Sequence, residues 1–170
     1  MADARTWIGR GLLLLAGGAV LVLSLMPVGT LPGRLPAPDI LLLTAMAWVV
    51  RRPEQAPAPL LGALFLLRDV LTGAPPGLGA ALALIATENL RGRRFEPGLA
   101  GLLSEWSRVA ALIALVALAE QVVLSMLLLP VSETGSVLGR AILSALAYPA
   151  TVIALRALVG LRAPRPEDQP

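Results

Sequence analysis

The run 106–129, WSRVAALIALVALAEQVVLSMLLL, is apolar past Arg108 except for Glu120, Gln121 and Ser125. About 20 residues at a rise of about 1.5 Å cover the roughly 30 Å of hydrocarbon in a bilayer, so this run is long enough to span one. Runs 7–26 and 139–161 meet the same measure, and between them lie three shorter apolar runs, 38–50, 58–73 and 77–92. The first of these has an apolar core only from Ile40 to Val50. The other two reach spanning length only with Arg68, Asp69 and Glu88 at or inside the membrane boundary. Snorkelling arginines can cover most of that shortfall, the other reading being that one of the three is re-entrant. The expected fold is an all-α polytopic membrane protein of six transmembrane helices, one domain over residues 1–162, with a disordered polar tail at 163–170.

Composition agrees. Of 170 residues 56% are hydrophobic and 15% charged, against about 45–50% and about 25% in average globular chains. Such a chain is not a soluble DNA-binding module, a disordered tail or an ordinary cytosolic enzyme. All fourteen basic residues are arginine, scattered singly or in twos and threes between apolar runs, so no nucleic-acid partner is expected. Cysteine and histidine are absent, which excludes disulfides, thiol nucleophiles, Cys/His zinc sites and histidine-based triads. No cofactor and no metal are expected. Arg5 and Arg10 before an apolar core from Leu12 to Leu25 resemble a signal peptide, but the core is long and no small-x-small pattern precedes Pro27, so the run is read as a retained helix.

Arginine placement sets the orientation, because Lys and Arg are retained on the cytoplasmic side. With the N-terminus inside, the cytoplasmic stretches hold Arg5, Arg10, Arg51, Arg52, Arg91, Arg93, Arg94, Arg108, Arg156, Arg162 and Arg165. The outer side holds only Arg34, Arg68 and Arg140. Trp7, Trp48 and Trp106 all fall at cytoplasmic ends, where interfacial tryptophans collect. Both termini are thus expected inside. The loops are short and proline-rich, too small for a separate soluble domain.

Polar groups at membrane depth need a reason. Glu120 lies roughly 18 Å from Arg108 and 15 Å from Pro130, near the expected midplane, and must be protonated, paired or facing water. With Ala110, Ala114, Ala117, Gln121 and Ser125 at helical spacing, it reads either as part of a close-packing face or as a proton or ligand group. The last run offers a complementary face of Arg140, Ser144, Ala147, Tyr148 and Thr151. Pro149 within it removes a backbone hydrogen bond and leaves a carbonyl for a partner. Depth alone matches Glu120 with Tyr148 or Thr151, Asp69 with Arg140, and Glu88 with Arg156 or Arg108.

The segment Arg68-Asp69-Val70-Leu71-Thr72-Gly73-Ala74-Pro75-Pro76-Gly77-Leu78-Gly79 reads as a tight helical hairpin. Thr72 or Asp69 is placed to satisfy backbone groups freed at the turn. No Walker lysine follows, so the glycines do not indicate a nucleotide site.

Several residues in order resemble the rod shape-determining protein MreD family of bacteria. They are Pro38-Asp39 opening an apolar run that ends in Trp48 and Arg52-Pro53, then Asp69, Gly73, Gly77 and Gly79 in a D-x-x-x-G hairpin, then Glu120, then Pro149 with basic residues beyond it. The likeness covers roughly 7 to 162; Arg68 beside the acid and a glycine- and proline-rich stretch at 27–38 depart from it. The resemblance implies a non-enzymatic scaffold of the bacterial inner membrane, part of the elongasome that directs lateral peptidoglycan synthesis and maintains cell shape. Its implied partners are MreC, the MreB filament, RodA and its penicillin-binding transpeptidase, besides membrane lipids. That family is also similar to the substrate-binding subunits of energy-coupling-factor transporters, which implies an outward cavity and a competing reading as a vitamin-binding subunit. Two Phe, one Tyr and three inner-side Trp are a poor inventory for gripping an aromatic vitamin. Ala80, Ala81 and Ala83 lie at the wrong end of their segment for docking on such a transporter's ATPases. The interaction candidates are Asp69, Gly73, Gly77, Gly79, Glu88, Arg91, Arg93, Arg94, Glu120, Gln121, Arg140, Pro149 and Arg156. The loops Arg51-Arg52 and Arg91 to Arg94 are expected either to bind partners or to serve as retention signals that touch anionic lipid.

Overall fold

A computed structural model describes residues 2–25, 36–93, 95, 98–130 and 133–160. The expectations for Arg34, Arg94, Arg162, Arg165, the stretch 27–35 and the tail 163–170 lie outside those residues. Among the described residues there is no strand. The chain forms α1 (Ala2–Leu25), α2 (Ile40–Arg51), a 3-10 turn (Pro53–Gln55), α3 (Ala58–Thr72), α4 (Leu78–Leu90), α5 (Leu99–Met126) and α6 (Thr134–Val159). Three stretches, Thr6–Leu25 of α1 and the whole of α5 and α6, are long and apolar enough to cross a membrane.

Helix α2 stands at the centre, with α1, α3, α4, α5 and α6 in an arc about it, each packed on the next. Its sequence, ILLLTAMAWVVR, is apolar on every side, and a helix apolar all round is stable only where every face is covered. Leu41 through Val49 are all buried. This explains its length: covered by protein, the helix need not match the thickness of hydrocarbon, and 10–14 apolar residues is the size of a buried core helix. Asp39 caps its start, the carboxylate Oδ1 accepting from the Leu42 amide at 3.0 Å.

Outer helices bury one stripe each. On α5 the stripe is Gly101, Glu105, Val109 and Ile113, four residues apart, while Leu102, Leu103, Leu115, Leu118 and Val122 are exposed. On α6, Ser144, Tyr148, Val152 and Leu155 face inward, and Leu138, Ile142, Leu146, Ile153 and Leu158 face out. So much exposed apolar surface has no place in water and suits lipid. The face of α4 toward its neighbours is small, with Gly79, Ala80, Ala83 and Ala86 buried, and this lets backbones approach closely.

Helix ends differ from the expected ones where the pattern was blurred. Helix α5 starts at Leu99 rather than Trp106, since Gly101 and Glu105 continue its buried stripe. Its centre therefore moves toward Leu112, and Glu120 lies about 9 Å from the helix end, not near the middle. Trp48, expected at an interface, is wholly buried in the core, because the helix that carries it is enclosed by protein.

Candidate functional site

The α3–α4 hairpin organises one end of the bundle. Gly73 closes α3 in the left-handed region at φ 69°, and its amide together with that of Ala74 satisfies the last carbonyls, Ala74 donating to the Asp69 carbonyl at 3.0 Å. Gly77, at φ 94°, occupies the capping position of α4 but has no side chain with which to cap. Asp69 supplies it from the previous helix: its Oδ2 accepts from the Ala80 amide at 2.8 Å and the Gly77 amide at 3.2 Å. Its Oδ1 accepts from Arg68 Nη2 at 3.2 Å. Gly79 is required by this closeness, for a Cβ there would stand 2.7 Å from Asp69 Oδ1 and 2.6 Å from Arg68 Nη2. Thr72, the other candidate, instead returns its hydroxyl to the Arg68 carbonyl of its own helix.

Arg68 extends the cluster. Its Nη1 donates to Asp39 Oδ2 at 2.8 Å, and its guanidinium lies 5.5 Å from the Phe65 ring. The Asp39 amide donates to Ser144 Oγ at 2.9 Å, which ties α6 to the start of α2. Beside this group Arg140 Nη2 reaches Glu120 Oε2 at 3.4 Å. All six helices line the resulting cavity of about 290 Å³, which is walled by Asp39, Arg68, Asp69, Glu120, Arg140 and Ser144 among small and aliphatic residues.

A second cluster is buried toward the other end. Arg51, 2% exposed, donates from Nη2 to Glu105 Oε1 at 2.8 Å and from Nη1 to the Ala47 carbonyl. Tyr148 donates its hydroxyl to the same Glu105 oxygen at 2.5 Å. One residue away on α5, the Trp106 indole N–H donates to the Ala145 carbonyl at 2.8 Å. That carbonyl is the one whose helical partner would be the amide of residue 149, and Pro149 has none. The expected free carbonyl exists, and an indole from the neighbouring helix occupies it.

The depth-matched ion pairs are not formed. Asp69 pairs with Arg68 instead of Arg140, Glu88 with Arg91 instead of Arg156 or Arg108, and Glu120 with Arg140 instead of Tyr148 or Thr151. Depth is a one-dimensional match, whereas the pairs that form are sequence neighbours or sit on facing stripes. Asp69 and Arg140 do meet as walls of the same cavity. Two of the arginines expected in inner loops serve the fold. Arg51 is buried as described, and Arg91 chelates Glu88 while donating to the carbonyls of Pro53 at 2.7 Å and Ala56 at 2.6 Å, pinning the turn between α2 and α3. Arg93 bonds back to Asn89 and, like Arg156, is exposed. Gln121 lies with Ala114, Ala117 and Ser125 along the α5–α6 groove. Sequence reasoning missed Glu105. Its signal is its place four residues before Val109 and eight before Ile113, and it lies one residue outside the apolar run 106–129.

No family model, curated protein or solved structure matches this chain.

Proposed function

We propose that this protein is a non-enzymatic scaffold of a bacterial inner membrane, crossing it six times with both termini in the cytoplasm, and that it belongs functionally with the rod complex. In this reading it binds MreC and helps couple cytoplasmic MreB filaments to lateral peptidoglycan synthesis by RodA and its transpeptidase. The ordered residues from Pro38-Asp39 to Pro149 support the assignment, and so does the work the central ones do. The observation that carries the reading is the use of the buried polar side chains. Asp69 caps α4, Asp39 caps α2 and binds Arg68, and Glu105 joins Arg51 to Tyr148, so each fastens one helix to another. Helix association in lipid gains little from the hydrophobic effect and depends on packing and such interhelical bonds. A body so fastened is rigid, and rigidity with apolar outer faces suits a platform for other membrane proteins.

Orientation follows from charge. Arg10, Arg51, Arg52, Arg91, Arg93, Arg108 and Arg156 lie toward one end of the bundle, Arg68 and Arg140 toward the other, and the richer end is cytoplasmic. The short helices α2, α3 and α4 cross with the help of their protein surroundings rather than by their own length. A vitamin-binding transporter subunit is less favoured, because among the described residues the cavity lining has no aromatic ring to stack on a flat ligand.

The test is affinity purification of the tagged protein from its host's membranes in mild detergent, with mass spectrometry of proteins and small molecules. Recovery of a bitopic MreC-like protein with cell-wall synthases is the expected result. Recovery of paired ATPases and a vitamin would overturn the scaffold.

A further inference from the structure

The cavity at the hairpin end has two walls of different character. One is committed: Arg68 bridges Asp39 and Asp69, and Asp69 is 1% exposed with its second oxygen on the amides of α4. Two carboxylates against one guanidinium leave this wall an excess negative charge. The other wall is lightly held. Arg140, with five N–H donors available, makes a single 3.4 Å contact to Glu120, and its side chain is 47% exposed. Ser144 is buried at 1% exposure and accepts from the Asp39 amide, with no acceptor for its own hydroxyl hydrogen among the described residues.

We propose that this cavity is a binding site for a compact zwitterion, a primary ammonium joined by a short linker to a phosphate or carboxylate. The anion takes the idle donors of Arg140 and the Ser144 hydroxyl, and the ammonium sits between Glu120 and the negative Asp39 wall. An anion alone would face three carboxylates, and a cation alone would compete with Arg140 for Glu120, the one carboxylate that Arg140 contacts. About 290 Å³ is at the small end of the roughly 300–1,000 Å³ typical of ligand pockets, which suits a headgroup or a small metabolite. Glu120 and Arg140 each lie about 9 Å from the nearby end of their helix, shallow enough for either source to reach.

The experiment uses the full chain in maltoside micelles, which carry neither charge, with binding read by titration calorimetry and native mass spectrometry. The probes are O-phosphoethanolamine and dioctanoyl phosphatidylethanolamine, with ethanolamine, glycerol phosphate and dioctanoyl phosphatidylglycerol as single-charge controls. Binding of at least one zwitterionic probe in preference to all three controls is expected. Binding of the lipid probe alone assigns the headgroup as the source, and binding of the soluble one assigns a solution zwitterion. Glu120→Gln and Arg140→Gln should each weaken the interaction about tenfold or more, as loss of a charge-assisted hydrogen bond does, with unliganded thermal unfolding as the check that each is folded. If one variant fails that check, the other carries the comparison. The site is refuted if no zwitterionic probe binds, if a single-charge probe binds as well, or if the folded variants bind like the wild type. None of these outcomes depends on which proteins co-purify.

Discussion

At the level of single residues two buried carboxylates, Asp69 and Glu105, make different demands. Asp69 satisfies two backbone amides that Gly77 cannot cap. Replacing it by alanine should cost about 1–3 kcal/mol, the range for leaving buried donors unpaired. Asp69→Asn retains one acceptor oxygen and should lose less, and thermal unfolding in detergent of the two variants beside the wild type measures the order. Equal losses would show that the charge facing Arg68, rather than the cap, is what matters. Among the described residues Glu105 is the only anion bonded to a buried arginine. Glu105→Ala leaves the Arg51 charge uncompensated and should cost about 3–5 kcal/mol, as breaking a buried pair does. Replacing the cluster together, Arg51→Met with Glu105→Leu and Tyr148→Phe, removes every polar partner at once and should recover most of that stability. If the triple variant is no better than the single, the cluster contributes net attraction rather than internal bookkeeping of charge.

Between elements, α5 and α6 are joined at a point defined by one proline. Because Pro149 has no amide, the Ala145 carbonyl is open, and Trp106 donates to it. The two residues should be coupled in a double-mutant cycle. Trp106→Phe in the wild-type background leaves the carbonyl unpaired, whereas with Pro149→Ala the new amide already serves it, so the same substitution should cost about 1 kcal/mol less there. Additive effects would mean that the indole contributes only by packing. This contact also illustrates what could be read from sequence and what could not. Hydropathy located all six helices, and proline chemistry identified an open carbonyl, since both are local properties. The hairpin was equally legible, because a glycine at positive φ and an acid within reach of the next helix's start are separated by few residues. Partner choice across helices was not. Whether Arg68 binds Asp39 or Arg140 binds Glu120 depends on rotation and crossing of helices that are distant in sequence, and depth along the membrane normal does not encode rotation. Enclosure was hidden for the same reason: α2 and a lipid-facing run of equal hydropathy look alike, so Trp48 read as interfacial while it is core.

For the whole molecule, the proposed topology divides the described ends of the helices into two sets, and the absence of cysteine makes the chain its own clean background for testing it. Glu54 and Arg93 are exposed at the arginine-rich end, Pro76 and Pro130 at the other. Single-cysteine variants Pro76→Cys and Pro130→Cys should react with a membrane-impermeant maleimide on intact cells freed of their outer barrier. Glu54→Cys and Arg93→Cys should react only after the inner membrane is permeabilised. The four positions are chosen as flanking pairs. Residues 54 and 76 bracket α3, which at 15 residues is about 22 Å long and shorter than the hydrocarbon. Residues 93 and 130 bracket α5, whose 28 residues are ample. Labelling of 54 and 76 from the same side would make α3 re-entrant and reduce the number of spans, while leaving α5 as an internal standard. Exchange of the whole pattern would invert the protein and place the zwitterion cavity in the cytoplasm, where only the inner leaflet and soluble metabolites could supply it. The expected pattern instead opens that cavity to the outer face and leaves the arginine-rich end toward the cytoplasm, the side on which the proposed filament-coupled scaffold has to present itself.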